Sequence, residues 1–394
     1  MVNNLFYNRL YEWYEIHHRV LPWRETDNAY YIWLSEIILQ QTRVAQGMEY
    51  YLRFIARWPK IEELANADEA DVLREWQGLG YYSRARNLHK AAKQIVEKGT
   101  MDNGQWTKDN GQWTKDDGQG TKDDGQGTKE IGFPKTFEEI RALPGIGDYT
   151  AGAIASFAYN LPYPAMDGNV YRVVARLMDI DEAFDTSAGK KLFHNRLEEL
   201  LDRNNARLFN SAIMEFGALY CTPTLGDNCL NCPLQSFCAA YAHGTAELLP
   251  VRKPRPKVRD RWFDYHVYVC TMDKGQGTRD NGQWTRDNGQ RTKDNGQRTM
   301  DDVCTLIRRR EEKDIWYHLY EFPCEEHEKA PSDHPKGAIC LTHVLSHQRL
   351  HARFIIHKVS ELPDIKDAFC VAWQELDDFA LSRLTLRALS LISR

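Results

Sequence analysis

The stretch LPGIGDYTAGAIASFAYNLPYPAMDGN, Leu143 to Asn169, decides how the rest of the chain is read. Pro144, Gly145 and Gly147 surround Ile146, and glycine permits positive φ and close backbone approach, so Leu143 to Gly147 can reverse the chain sharply between two helices. Ile146 then plugs the hairpin into the core. From Thr150 to Tyr159, Ala151, Ile154, Ala155 and Ala158 recur at helical spacing. The first free N–H groups of that helix point out of the hairpin, where an anion such as a DNA phosphate can bind. A compact αα-hairpin without a ligand is the plainer reading of the turn alone. Asp167-Gly168-Asn169 precedes VYRVVARL, whose apolar periodicity predicts another helix with Asp167 as N-cap. Capping and catalysis are compatible, because a carboxylate at a helix mouth also faces the cleft there.

Further along, Cys221-x7-Cys229-x2-Cys232-x5-Cys238 gathers four of the nine cysteines within eighteen residues. An odd cysteine count and no signal-peptide pattern argue against a disulfide framework and for metal ligation. One close pair with wider outer gaps suits a [4Fe–4S] cluster better than the two tight pairs usual for structural zinc, which stays open as the metal alternative. Upstream, Tyr30 to Gln46 carries Trp33, Leu34, Ile37, Ile38 and Val44 at helical spacing, with Glu36 and Gln40 four apart. Desolvation on a mostly buried helix would raise the pKa of Glu36, as a general acid requires. A solvent-facing glutamate is the alternative.

In combination the hairpin, the Asp-Gly-Asn and the cysteine quartet resemble the helix-hairpin-helix DNA glycosylases, and most closely their adenine-specific (MutY-type) branch. The likeness extends over nearly the whole chain outside two repeat tracts. It implies an enzyme that excises adenine opposite 8-oxoguanine or guanine in double-stranded DNA. It further implies that Glu36 protonates the base, that Asp167 stabilises the cationic sugar or attacks it, and that Asn169 supports Asp167. Tyr149 stands where bifunctional relatives carry a Schiff-base lysine, and a phenol cannot form an imine, so the reaction would be monofunctional. Trp23 and Arg24 would line the base pocket, Gln41 and Tyr81 would fill the space near the lesion, and Gly145 and Gly147 would meet phosphate. Cys221, Cys229, Cys232 and Cys238 would hold the [4Fe–4S] cluster, although the family's first gap is six residues and this one is seven. Ser211 replaces the Glu or Gln that relatives point toward the adenine.

Composition fits this reading without proving it. A chain of 394 residues with 42% hydrophobic and 11% aromatic content can bury two or three cores. A net charge of −5 with pI near 6.2 does not announce a nucleic-acid binder, but the placement of charge matters more than its sum. Arg252, Lys253, Arg255, Lys257, Arg259 and Arg261 stand against Asp260 alone, and Arg84, Arg86, Lys90 and Lys93 share one predicted helix. Either could be a solvated face. The amphipathic, charged N-terminus predicts no membrane span, and the expectation is a monomeric cytoplasmic protein.

The fold expected is multidomain. An all-α helix-hairpin-helix core has residues 1–29 and 168–244 as an iron–sulfur lobe and 30–167 as a six-helix lobe. A basic linker, 245–260, leads to a C-terminal α+β Nudix-like domain, 261–394. Further helices are expected at 4–19, 64–76, 83–96, 137–142, 170–178, 188–201 and 206–220. Two tracts of seven-residue repeats, 101–129 and 275–300, have a turn-favouring Asp-Asn-Gly or Asp-Asp-Gly in every unit and no apolar seam, so they are read as flexible low-complexity loops and not as coiled coil. In the last domain WFDYHVYVC and VCTLIRRR predict strands and Leu381 to Leu391 a helix. The domain resembles the module that checks for 8-oxoguanine, with Leu345-Ser346-His347 in place of the family's Phe-Ser-His loop. Ser346 and His347 can hydrogen-bond a lesion edge or a phosphate. No Nudix box of regularly placed glutamates is present, so hydrolase activity is not expected there. Two rival functions remain: an endonuclease III-like glycosylase/lyase for oxidised pyrimidines, and a non-catalytic DNA-binding scaffold.

Overall fold

The computed structural model describes residues 4–102, 106–109, 112–115, 132–254, 258–271, 277–280, 283–286, 303–333, 335–345 and 347–392. In chain order its helices are α1 (Asn4–His17), α2 (Ala29–Ile38), α3 (Val44–Arg57), α4 (Ile61–Asn66), α5 (Glu69–Glu75), α6 (Ser83–Asp102), α7 (Phe137–Arg141), α8 (Asp148–Tyr159), α9 (Gly168–Leu177), α10 (Ser187–Leu200), α11 (Ala206–Leu219), α12 (Ala239–His243) and α13 (Arg383–Ile392). Two compact units emerge: residues 1–67 with 86–254, and residues 68–85 with 255–394.

The first unit is helical, and its helix ends follow local chemistry. Asn28 caps α2 by accepting from the N–H groups of Tyr30 and Tyr31. Thr136 and Glu139 form a reciprocal capping box at α7. The continuous helix expected from Tyr30 to Gln46 is two helices. The chain leaves α2 at Ile38, turns through Gln41 at φ +56°, and restarts at Val44. No proline or glycine marks that break, so periodicity alone runs straight across it. As a consequence Glu36 and Gln40 do not share a helical face; Gln40 Nε2 instead donates to Thr150 Oγ1 at 3.3 Å. The helix expected over 64–76 is likewise split, at Ala67-Asp68, into α4 and α5.

One core joins α1, α9, α10 and α11 through Phe6, Leu10, Trp13, Val170, Val174, Phe193, Phe209, Ile213 and Phe216, all buried. Burying each large side chain of this kind contributes about 2–3 kcal/mol, before the entropy of ordering it. The four clustered cysteines pack against the same core.

The second unit is built on a sheet. Its strands are β3 (Arg259–Thr271), β6 (Val303–Arg309), β7 (Tyr320–Glu321), β8 (Cys324–His327), β9 (Ile339–Val344), β10 (Gln348–Val359) and β11 (Ala368–Ala372), in the order β11-β6-β3-β10-β9, with β7 on β6 and β8 on β3. β3 and β10 run parallel over twelve residue pairs. Strand alternation sends Phe263, Tyr265 and Val267 to one face, where Phe354, Ile307, Val371 and Leu384 of α13 complete the core. Arg261, one of the six cations counted in the basic stretch, is buried between Glu326 and Asp314, at 2.6 and 2.5 Å, and so holds the fold together instead of facing a polyanion. Arg255 and Lys257 lie outside the described residues.

The repeat tracts depart in part from the loops expected. Residues Trp106–Asp109 (β1) pair antiparallel with Gln112–Lys115 (β2), and Gly277–Asp280 (β4) with Gln283–Arg286 (β5). In both, the register leaves Asn-Gly between the strands, the dipeptide that most favours a two-residue hairpin connection. The remaining repeat residues lie outside the described ones.

Candidate active site and cysteine cavity

The hairpin closes as its glycines predict. The N–H of Ile146 donates to the carbonyl of Leu143 at 3.2 Å, and Ile146 is buried. Gly145 sits at φ +77°, and a Cβ there would lie 2.7 Å from Asn87 Cβ, so both backbone angle and space require glycine. Gly147 precedes α8 in extended conformation as its N-cap. Arg141 brackets the turn, donating to Asp148 at 2.5 Å and to the carbonyl of Ile146 at 3.0 Å.

From this hairpin α8 aims Tyr149 at α2. The Tyr149 hydroxyl donates to Glu36 Oε2 at 2.8 Å, and Glu36 is only 5% exposed. Across from it the guanidinium of Arg24 lies 3.7 Å from Glu36 Oε1 and 3.7 Å over the ring of Phe157. Burial raises the Glu36 pKa above the usual carboxylate range, against the opposing pull of Arg24 and the Tyr149 hydrogen bond. The charge of Asp167 raises it further, so the two acids share one electrostatic environment. Tyr149 feels both carboxylates and is held far above its ordinary value, first by burial. The Glu36 side chain is thus no solvent-facing acid.

Asp167 occupies the mouth of α9. Its Oδ1 accepts from the N–H groups of Asn169 and Val170 at 2.9 and 2.7 Å, and its Oδ2 accepts from Asn169 Nδ2 at 2.9 Å. Burial raises its pKa while these three donors oppose the rise. Sequence reasoning missed what holds Asn169. Arg172 NH2 donates to Asn169 Oδ1 at 2.9 Å and to the Gly217 carbonyl at 2.5 Å, and its Nε donates to the Cys221 carbonyl at 2.7 Å. Gly217 lets α11 approach, because a Cβ there would stand 2.8 Å from both Cβ and O of Asn169. The available signal was two arginines four apart in the apolar run VYRVVARL, too costly to bury without fixed acceptors.

The second of those arginines, Arg176, is 2% exposed and reaches the cysteine loop. It donates to Cys221 Sγ at 3.3 Å and to the carbonyls of Thr222 and Ala246 at 2.7 and 2.8 Å. Cys221, Cys229, Cys232 and Cys238 line one small cavity with Val173, Leu177, Phe216 and Leu234. Burial pushes the Cys232 thiol up to about 12 and raises Cys229 and Cys238, so bare thiolates are disfavoured there without a cation to balance them. Among the described residues no three His, Cys, Asp or Glu converge on a single metal-ion position. Four soft thiols around an apolar cavity match the donor set of a polynuclear iron–sulfur group.

The other sequence-predicted residues are placed as follows. Trp23 is buried, its ring edge-on to Tyr51. Gln41 is exposed at the left-handed turn between α2 and α3. In the second unit Tyr81 is exposed at φ +49° beside Gly80, with Arg84 5.9 Å over its ring. A non-glycine residue in that region costs on the order of 1 kcal/mol and often marks a functional tip. His347 is exposed, its carbonyl accepting from Arg259 at 3.0 Å, and Leu345 with Gln348 closes the turn between β9 and β10. Ser346 lies outside the described residues. Ser211 is buried.

Comparison with known proteins agrees with the architecture. The profile of the HhH-GPD superfamily of base excision DNA repair proteins matches residues 34–202, and that of the NUDIX domain residues 299–391. The adenine DNA glycosylase of Mus musculus is 36% identical over 266 residues, 65% of this chain and 45% of the mouse protein. That of Buchnera aphidicola subsp. Baizongia pistaciae is 34% identical over 269 residues, 67% of each chain. A solved thermostable thymine-DNA glycosylase is 21% identical, at a TM-score of 0.48 over 61% of this chain and 96% of its own. The chain thus spans about half the length of the mouse relative and two thirds of the bacterial one. With a helix-hairpin-helix core, a Nudix-like sheet domain and this degree of identity, the chain belongs to the adenine DNA glycosylase family of DNA N-glycosylases.

Proposed function

We propose that this chain excises adenine opposite 8-oxoguanine or guanine in double-stranded DNA by hydrolysing the N-glycosidic bond, without strand cleavage. The observation that carries this reading is the buried Glu36, hydrogen-bonded by Tyr149 and electrostatically coupled to Asp167 at a helix mouth. Two carboxyl groups in unequal settings divide the labour of acid and anion. Three donors and the positive end of α9 favour the ionised form of Asp167, which stabilises the sugar cation or attacks it. Burial and the Asp167 charge favour the protonated form of Glu36 that a general acid needs, against the opposing pull of Arg24 and the Tyr149 hydrogen bond. Protonating the flipped adenine turns it into a neutral leaving group.

Around this pair, Asn169 fixes Asp167, and Trp23 with Arg24 shapes the base pocket. Gln41 and Tyr81 serve the lesion side, and the α8 amide groups behind Gly145 and Gly147 bind phosphate. Ser346 and His347 read 8-oxoguanine. Cys221, Cys229, Cys232 and Cys238 hold a [4Fe–4S] cluster, which when bound supplies a covalent cross-link that fixes the 221–238 loop. All nine cysteines are free thiols, and no helix among the described residues is long and apolar enough to cross a membrane. The same reading takes the protein to be a monomer acting in the cytoplasm. It keeps residues 1–29 with 168–244 as the cluster lobe and 30–167 as the hairpin lobe.

The experiment is a duplex carrying adenine opposite 8-oxoguanine, incubated with wild type or Glu36→Gln and then treated with alkali. Cleavage after alkali by wild type alone supports the reading. Release from thymine glycol instead would indicate the oxidised-pyrimidine activity, and no release from either would indicate a binding scaffold.

A further inference from the structure

The turn that carries Tyr81 is built into the C-terminal body. Residues 68–85 separate from the other helices and belong to the second compact unit. Within them α5 is seven residues long and has no side-chain N-cap bond at Asp68, so helix formation alone cannot hold it in place. Its position is set by contacts. Glu69, its first residue, meets Arg309 at the end of β6 and His318 in the turn that follows: His318 Nδ1 donates to Glu69 Oε1 at 2.7 Å, and Arg309 Nη2 lies 3.5 Å from the same oxygen. His318 is held at φ +66°, its N–H donating to the Arg310 carbonyl at 2.8 Å, a strained backbone of the kind kept where a side chain must be aimed. Its Nε2 stands 3.5 Å from Glu311 Oε2, so a carboxylate flanks each nitrogen of the ring. At the other end of the segment the buried Tyr82 donates its hydroxyl to the Leu381 carbonyl at 3.3 Å.

Between these anchors the tip is fastened to α5 itself. Trp76 Nε1 donates to the Gly80 carbonyl at 3.0 Å, and Arg84 Nη2 donates to the carbonyls of Leu79 and Gly80 at 3.3 and 3.1 Å. The Arg84 guanidinium also lies 5.0 Å over the Trp76 ring. A displacement of α5 is therefore passed through Trp76 to Gly80 and Tyr81.

We propose that Glu69 and His318 are positioning residues that lock the Tyr81 tip to the domain carrying Ser346 and His347, so that recognition of 8-oxoguanine and placement of the tip occur as one event. This inference rests on the lesion-side role proposed above for Tyr81, Ser346 and His347. The latch matters where the C-terminal domain grips the lesion. Opposite an ordinary guanine that grip has no 8-oxo group to act on, and a tip fastened to it gains nothing. Loss of either partner therefore lowers the preference for 8-oxoguanine over guanine and leaves untouched the groups that act on adenine.

The test compares full-length wild type with Glu69→Ala, His318→Ala, the double variant and His318→Asn. Asparagine keeps a donor near the Nδ1 position and suits a left-handed backbone. Single-turnover adenine release is measured opposite 8-oxoguanine and opposite guanine, and amide hydrogen exchange is followed in peptides 76–84 and 148–159. Each alanine variant should release adenine opposite 8-oxoguanine roughly tenfold more slowly, within the usual span of a coupling between two sites, and opposite guanine within about twofold of wild type. Exchange should rise severalfold at 76–84 and stay unchanged at 148–159. The double variant should match the single ones, since all three lose the same contact, and His318→Asn should recover most of the preference. An unchanged preference in both alanine variants, or exchange at 76–84 no faster than in wild type, overturns the proposal. A general loss of stability would slow both substrates alike and loosen both peptides, which overturns it as well. Should wild type release adenine from neither duplex, the base-excision reading fails, and exchange at 76–84 still decides the latch.

Discussion

Arg172 and Asn169 are joined by a 2.9 Å hydrogen bond, and the same guanidinium holds the carbonyl of Cys221 at 2.7 Å. One side chain therefore ties the support of Asp167 to the first cysteine of the cavity. Replacing it with methionine leaves the Gly217 and Cys221 carbonyls without their buried donor, a loss of about 2–3 kcal/mol. Arg172→Met should melt earlier, release adenine more slowly and purify with less iron, whereas Arg176→Lys should affect chiefly the iron content. Unchanged iron and turnover in Arg172→Met would show that the link carries no load.

Glu36→Gln keeps an acceptor for Tyr149 and removes the transferable proton. Single-turnover adenine release should fall by roughly 10²–10⁴-fold. Thermal stability should hold or rise, since a buried acid with a raised pKa is replaced by a neutral amide.

The pH profile follows from two upward shifts. Activity should rise as Asp167 ionises, above the ordinary aspartate range, and fall as Glu36 loses its proton, above the ordinary glutamate range. Because each charge acts on the other, the limbs belong to the pair. Tyr149→Phe deletes a hydrogen bond that favours ionised Glu36, so the descending limb should move to higher pH; a shift to lower pH would contradict the geometry.

Gly217→Ala places a Cβ 2.8 Å from Asn169, where backbone and not a flexible tip must yield. The expected cost is about 1–3 kcal/mol, with slower adenine release because the mouth of α9 moves. Melting curves and single-turnover rates of the alanine variant check both.

Much of this was legible in the chain. Ile146, Gly145 and the Asp167 cap could be read because turn and capping chemistry is local. The strands of WFDYHVYVC and VCTLIRRR showed in their alternation. The break at Gln41 was not legible, since neither glycine nor proline announces it and Leu39 continues the apolar pattern. Gln40 was accordingly assigned to the wrong neighbour. Contacts made at long range, such as Arg172 with Gly217 and Cys221, leave no local trace beyond a cation in an apolar run. The repeats were read as loops because their composition lacks a core, yet two pairs of short strands form within them.

Removing residues 103–131, between α6 and α7, should leave adenine release within about twofold, because the hairpin and both carboxylates are positioned by contacts outside that tract. A collapse of folding in the deletion would assign the tract a structural role.

Cys270 opposite Cys304 and Thr271 opposite Val303 pin the sheet at the base of the second tract. With both ends anchored, added length enters folding only through loop closure, about 0.6 kcal/mol per doubling.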